Sequence, residues 1–488
     1  MCAVAPARES VVAGVANGIS AIVSIISKGV GAIAIVVASA LAFACGGSSS
    51  SGNVGDGPDG SGGSSGSSSG SGGSSGGSSG GGSGSSSGGD GGGGDSGYPA
   101  FAPEMAQIVN NGGPPLATPK IVTVTWQSDP NSAAIQDFDD KLVASSWWSV
   151  LKEYGVGAGT SAATEHVVIT AAATSPWADN DIDTWAQNNI ANTATSNWPA
   201  PDANTMYVVY IPAAVTVTDP SGDPCDGYHV ELNSASNADG VSYALIMEQC
   251  YVEDQLLEMQ DTTETGSHEI AEGTTDPYPN NAPAWYGFDA DHLAWELWGG
   301  WQDEVADACE YFDDGYYLGA ADEPNWLSRI WSNASAKAGH NPCLPAPGGA
   351  YNNTTPLGLQ AISITAVDVN DNISPFSTKG WRIAPGATAK VQVGFYSDAP
   401  MATWTMTATE TEYCKSTDNS CPNTALTVTP TTFTGKNGDT VSLTIKVNNA
   451  PSEGTAAVLQ LSSVARDTTQ CAPGAPCNHI MPVIIGTY

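Results

Sequence analysis

Beyond Leu357 the chain alternates apolar and polar residues with period two. AISITAVDV, AKVQVGFY, TWTMTATE, TALTVTP, VSLTIKVN and AAVLQLSSV are separated by Gly, Pro, Asn and Asp. Period two sends successive side chains to opposite faces of a strand, and several such runs between turn residues predict an Ig-like β-sandwich over 350–488. From Tyr98 to Gly349 the pattern is different. The apolar runs Ile121 to Trp126 and Met206 to Ile211 read as buried strands, and FDDKLVASSWWSVLKEY reads as helical. This mixture predicts an α+β domain over 98–349, zincin-like or an α/β three-layer arrangement, ahead of the all-β one. Pro345 to Pro356, PAPGGAYNNTTP, reads as the linker between the two.

The first 97 residues carry no such periodicity. Lys28 precedes the apolar run GVGAIAIVVASALAFA, Gly29 to Ala44, which stops at Cys45. A run this short, behind a cation and ahead of a small-residue site, reads as the core of a signal peptide over 1–45, too short for a comfortable transmembrane helix; an ordinary small-residue cleavage site, or an uncleaved anchor that takes in Val11 to Ile26, is the alternative. Leu41 to Cys45, LAFAC, is similar to a bacterial lipobox, which makes Cys45 the lipidated residue and the protein an exported, surface-anchored lipoprotein. Residues 46–97 are almost entirely Gly and Ser with a few Asp. Such a segment has little to bury and serves as a flexible tether.

Charge narrows the range of partners. Fourteen Lys+Arg against 50 Asp+Glu give a formal charge of −36, which excludes nucleic-acid binding through phosphate neutralisation. It favours neutral or basic substrates over anionic ones. Of the ten cysteines, Cys2 precedes the cleavage site and Cys45 carries lipid. The remaining even set in an exported chain, Cys225, Cys250, Cys309, Cys343, Cys414, Cys421, Cys471 and Cys477, reads as disulfides, with Cys414–Cys421 and Cys471–Cys477 suited to short loops.

Chemistry concentrates in SHEIAEGTTDP. His268 and Glu272 stand four apart, on one face of a helix, and Glu269 follows the histidine. That spacing aims an imidazole and a carboxylate at one cation with a second carboxylate beside its water, as in HExxH metallopeptidases, except that Glu272 replaces the second histidine. A carboxylate can bind Zn²⁺, but it makes the set harder and more anionic, so Ca²⁺, Mn²⁺ or no metal are the alternatives. Further along, DEVADACE supplies Asp303, Glu304, Asp307 and Glu310, of which Glu304 and Asp307 share a face at i and i+3 and are candidate third ligands. His229, in CDGYH, and His292 are spare imidazoles that spacing alone does not bring to the site. No GxSxG outside the tether, no P-loop and no dinucleotide fingerprint in proper context is present, so acyl-enzyme and nucleotide chemistry are not expected.

Five blocks, PPLATPKIVTVTW, SSWWSVLKEYGVGAG, CDGYH, SHEIAEGTTDP with the AWYG that follows, and EVADACE, occur in the order found in the Exordium, or phosphate-induced, family of extracellular plant proteins and their bacterial relatives. The chain resembles that family from about Gly113 to Glu310. The resemblance places the family's HExxE residues on His268, Glu269 and Glu272, its acidic block on Glu304, Asp307 and Cys309, and its C-G-Y-H block on Cys225, Gly227, Tyr228 and His229, with Asp226 inserted. It implies a secreted or wall-associated protein with a modified zincin helix. The lipobox, the tether and the sandwich are additions of this chain.

Two functions follow as expectations. One is a peptidase-like hydrolase of a peptide or cell-surface polymer, with His268, Glu272 and Glu304 or Asp307 as ligands, His229 as a further candidate ligand, and Glu269 as base. The other is a non-catalytic adhesion or glycan-binding protein, with Trp285, Trp295, Trp298 and Trp301 as sugar-stacking surfaces and the cation site structural or vestigial. Oligomeric state is not legible.

Overall fold

The computed structural model describes residues 100–218, 227–234, 237–248, 255–299, 304–310, 312, 315–370, 372–411, 425–451, 454–464 and 478–488. Cys45, the tether, and Cys225, Cys250, Cys414, Cys421, Cys471 and Cys477 lie outside them. Among the described residues no helix is long and apolar enough to cross a membrane.

Five strands form the first sheet: β1 (Lys120–Trp126), β2 (His166–Ile169), β3 (Thr205–Ile211), β4 (Gly227–Ser234) and β5 (Asn237–Met247), in the order β2-β1-β3-β5-β4. The first four in that order run parallel, and β4 lies antiparallel at the edge. The apolar runs are continuous because both faces are covered. Met206, Val208 and Tyr210 of β3 pack on the side of α1 (Ser132–Leu142) and α3 (Gln255–Thr275). Tyr207, Val209 and Ile211 pack with Ile182, Ala186 and Ile190 of α2 (Asp179–Ala191) on the other side. This is a three-layer arrangement around a mixed sheet.

On the inner face of α1, Asp139 is fully buried and accepts hydrogen bonds from Thr123 Oγ1 at 2.6 Å and Tyr210 Oη at 2.8 Å. Burial dominates over these donors and raises its pKa from 3.8 to about 7. Between those values the folded state holds a proton that the unfolded chain has lost. The stability Asp139 contributes is therefore full below about pH 4 and is lost as pH rises through about 7. Wild type should lose on the order of a few kcal/mol more between pH 5 and pH 8 than Asp139→Asn does in urea unfolding; equal losses would contradict this assignment.

From Asn352 onward the described residues form a two-sheet β-sandwich. Its strands are β6 (Asn352–Leu357), β7 (Gln360–Val367), β8 (Ile373–Arg382), β9 (Thr388–Ser397), β10 (Trp404–Thr411), β11 (Leu426–Thr429), β12 (Thr432–Gly435), β13 (Thr440–Val447), β14 (Ala456–Val464) and β15 (Asn478–Gly486). One sheet runs β7-β8-β15-β14-β10-β12 and the other β6-β9-β13-β11. All pairs are antiparallel except β8 with β15.

The segment read as a linker is partly sheet. Asn352 to Leu357 pairs with β9, and Asn352, Asn353 and Thr354 are buried. The two parts share one core. Leu293, Ala294 and Leu297 of α4 (Leu293–Gly299) pack with Ile362, Ile364, Val458 and Ile484 of the sandwich. Trp298 Nε1 donates to Gln460 Oε1 at 2.9 Å.

Candidate metal centre

Helix α3 carries small residues where it meets the middle of the sheet and acid and imidazole groups where it faces edge strand β4 and the turn at Glu304. Gly266 allows the close approach, since a Cβ there would lie 3.0 Å from Tyr210 Oη and 3.1 Å from Phe138 Cε1. Ser242 Oγ donates to Gly273 O at 3.1 Å, and Ser328 N to Ser267 Oγ at 2.8 Å, so the helix is fastened on two sides. His268 and Glu272 then fall at i and i+4, with Asp276 four residues further on, and Glu269 stands beside them.

The edge strand supplies the second wall. Alternation along β4 turns Tyr228 toward α2, where its hydroxyl donates to Asp179 Oδ1 at 3.2 Å, and turns His229 and Glu231 toward α3. Gly227 permits this approach, because a Cβ there would stand 2.6 Å from Thr265 Cγ2. Glu231 accepts from Asn280 Nδ2 at 3.2 Å. The third wall is the turn from Glu304 into the short helix α5 (Asp307–Glu310).

These elements bring the acid and imidazole groups together. His268 Nε2 lies 3.1 Å from both Glu272 Oε1 and Asp307 Oδ1. His229 Nδ1 lies 3.4 Å from Glu269 Oε2 and 3.8 Å from Glu272 Oε2, while its Nε2 faces Glu304 Oε2 at 3.5 Å. The backbone N–H groups of Ala306 and Asp307 donate to Glu272 Oε1 at 3.2 and 3.0 Å. His229, His268, Glu269, Glu272, Glu304 and Asp307 are all buried. The sequence-predicted candidates therefore share one cluster, and His229, which spacing could not place, is part of it. His292 is not: its ring bonds Asp289 and the carbonyl of Glu104. Asp303 lies outside the described residues.

Electrostatics reflect the excess of carboxylates. For His229, burial opposes charge, but the Glu269 hydrogen bond and the charges of Glu272, Glu269 and Asp276 prevail and raise its pKa to about 9. Burial works against Glu272 too, yet His268, His229 and the Asp307 N–H lower it to about 2. Burial and the Glu272 charge raise Asp307 to about 6, and burial with Glu272, Asp276 and Asp307 pushes Glu304 well above the carboxylate range.

Three sets have donor atoms mutually within 4.8 Å: His229, Glu269 and Glu272; His268, Asp307 and Glu310; and Glu272, Glu304 and Asp307. Imidazole nitrogen with carboxylate oxygen is a donor set for first-row divalent ions. With its buried, mutually repelling carboxylates, the cluster fits a cation.

Cys309 lies between Asp307 and Glu310 and is disulfide-bonded to Cys343 across a separation of 34 residues. Closing that loop is worth about 3–4 kcal/mol on chain entropy, and it ties the ligand-bearing turn to strand Cys343–Leu344. Replacing both cysteines by Ser should weaken cation affinity about tenfold or more, measured by competition with a chelating dye; unchanged affinity would show that the turn is positioned without the bridge.

Asp276 and Glu231 also border the cluster, Asp276 accepting from Ala284 N at 2.6 Å. Sequence reasoning passed over both, although Asp276 continues the spacing of four from His268 and Glu272. The tryptophans considered for sugar stacking are turned inward: Trp295 is buried, Trp285 Nε1 donates to Tyr154 O, and Trp298 bonds Gln460. Trp301 lies outside the described residues.

No family model and no curated protein matches the chain. Among solved structures it is similar to WR4, a C. elegans MSP family member, with 14% identity over 22% of this chain and 91% of that one at a TM-score of 0.16. It is also similar to PapD-like domain 7 of human CEP192, with 11% identity over 22% and 78% at 0.16. Similarities this slight carry no functional argument.

Proposed function

We propose that the chain is an exported, lipid-anchored, cation-dependent hydrolase of peptide-like polymers, with a zincin-like first domain. The observation that carries the proposal is His268 Nε2 with Glu272 Oε1 and Asp307 Oδ1 each at 3.1 Å, and Glu269 one residue along the same helix. These three residues would hold the cation, with Glu304 and Glu310 close by. A divalent ion there would polarise a scissile carbonyl and acidify water.

Glu269 is the proton acceptor, and His229 Nδ1 orients its carboxylate. The N–H groups of Ala306 and Asp307 hold Glu272 in register with His268. An extended substrate would lie along the outer edge of β4, which pairs with no described strand, and main-chain hydrogen bonds would hold it against the cluster. The acidic balance of the chain favours neutral or basic side chains in that substrate.

The test is a fluorogenic peptide library incubated with the whole purified chain, before and after chelation and with divalent ions restored. Cleavage that chelation stops and an ion restores is the expected result. Cation-loaded protein that cleaves no member of a broad library would overturn the hydrolase reading.

A further inference from the structure

We infer that the cluster is a dinuclear centre, in which Glu272 and Asp307 bridge two first-row divalent cations; the inference rests on the cation-binding reading above. Among the described residues no mutually close donor set contains both histidines. His268 groups with Asp307 and Glu310, and His229 with Glu269 and Glu272. Glu272 lies between the two imidazoles. Its Oε1 stands 3.1 Å from His268 Nε2, and its Oε2 is turned to the other imidazole, 3.8 Å from His229 Nδ1. Glu272 and Asp307 also belong to the third set with Glu304.

The ring of His229 is arranged as a ligand is. A metal-bound imidazole presents one nitrogen to the ion and donates its other N–H to a carboxylate. Nδ1 of His229 has Glu269 at 3.4 Å for that role. Nε2 is buried, makes no hydrogen bond among the described residues, and faces Glu304 Oε2 at 3.5 Å. The second ion therefore falls to Glu304 with Glu272 and Asp307, on the side that His229 Nε2 faces, and the first to His268, Asp307 and Glu310, with Glu272 Oε1 3.1 Å from His268 Nε2. Glu269 stays outside both sets of ligands.

The three donor sets gather five carboxylates, Glu269, Glu272, Glu304, Asp307 and Glu310, around two imidazoles. Charge kept from water without a counter-charge is costly. Two imidazoles with bridging carboxylates is also the composition helical proteins use for paired iron or manganese.

The test uses the full chain, stripped with chelator, reloaded with Mn²⁺ and passed through gel filtration, as wild type, His229→Gln and His268→Gln. The metal-to-protein ratio and the low-temperature electron paramagnetic resonance spectrum are recorded for each. The expected result is two Mn²⁺ per chain with an exchange-coupled spectrum in wild type, falling to one ion with an isolated-ion spectrum in each variant. The wild-type spectrum decides the point even where a variant fails to fold. One uncoupled ion in wild type, retained in His229→Gln, would overturn the dinuclear centre and leave the single-cation reading standing. Two uncoupled ions kept by both variants would place them on the acidic surface and overturn it as well. No ion in wild type would remove the cation reading itself.

Discussion

Glu269→Gln is expected to lower the turnover of peptide hydrolysis about 10²–10⁴-fold, the range for loss of a positioned general base, with cation content and fold unchanged. Gln keeps the shape of the side chain and a hydrogen-bond acceptor for His229 Nδ1, which lies 3.4 Å from Glu269 Oε2. It removes the negative charge and with it the capacity to take a proton. The cation should stay, because His268, Glu272 and Asp307 meet without Glu269. The check is steady-state kinetics beside metal analysis of the same preparation. A variant that loses its cation would make Glu269 a ligand, and one that keeps full turnover would take the base away from it.

The second large effect concerns the shared core. Trp295→Ala should destabilise the protein by about 3–5 kcal/mol, the cost of emptying a buried tryptophan site. The ring is 1% exposed and has Phe288, Trp298, Phe312 and Trp331 around it at centroid distances of 5.7, 6.0, 6.2 and 5.2 Å. Helix α4, which carries it, also packs on β14 and β15, so the loss should appear in one cooperative urea transition that includes the sandwich. Two separate transitions, with only the first shifted, would show that the core is divided. The same packing bears on chemistry, since α4 leads through a few residues to Glu304.

Much of this was legible from periodicity. The continuous apolar run Met206 to Ile211 reads as strand, and β3 is one, covered on both faces. The alternating runs AKVQVGFY and VSLTIKVN became β9 and β13, which pair with each other. Polar sequence hid what burial decides. Asn352 to Leu357, NNTTPL, has the composition of a loop, yet it is a strand because β9 pairs with it and the shared core closes over it.

The candidate site was legible only as far as local spacing reaches. His268, Glu269 and Glu272 lie within one and a half helical turns, and Glu304 with Asp307 within one. His229 arrives from an antiparallel edge strand about forty residues away in sequence, and no helical or strand period relates it to α3. Asp276 continues the spacing of the motif but stands just past the helix end, where a Thr-Asp-Pro turn reads as a terminus.

The most decisive single measurement is a crystal structure of the whole chain grown with Zn²⁺ and recorded on both sides of the zinc absorption edge. An anomalous peak within bonding distance of His268 Nε2, Glu272 and Asp307 is the predicted result, with a second peak beside His229 Nε2 and Glu304 if the centre is dinuclear. Ordered water at those positions, with anomalous signal confined to surface carboxylates, would contradict the metal centre and the hydrolase built on it.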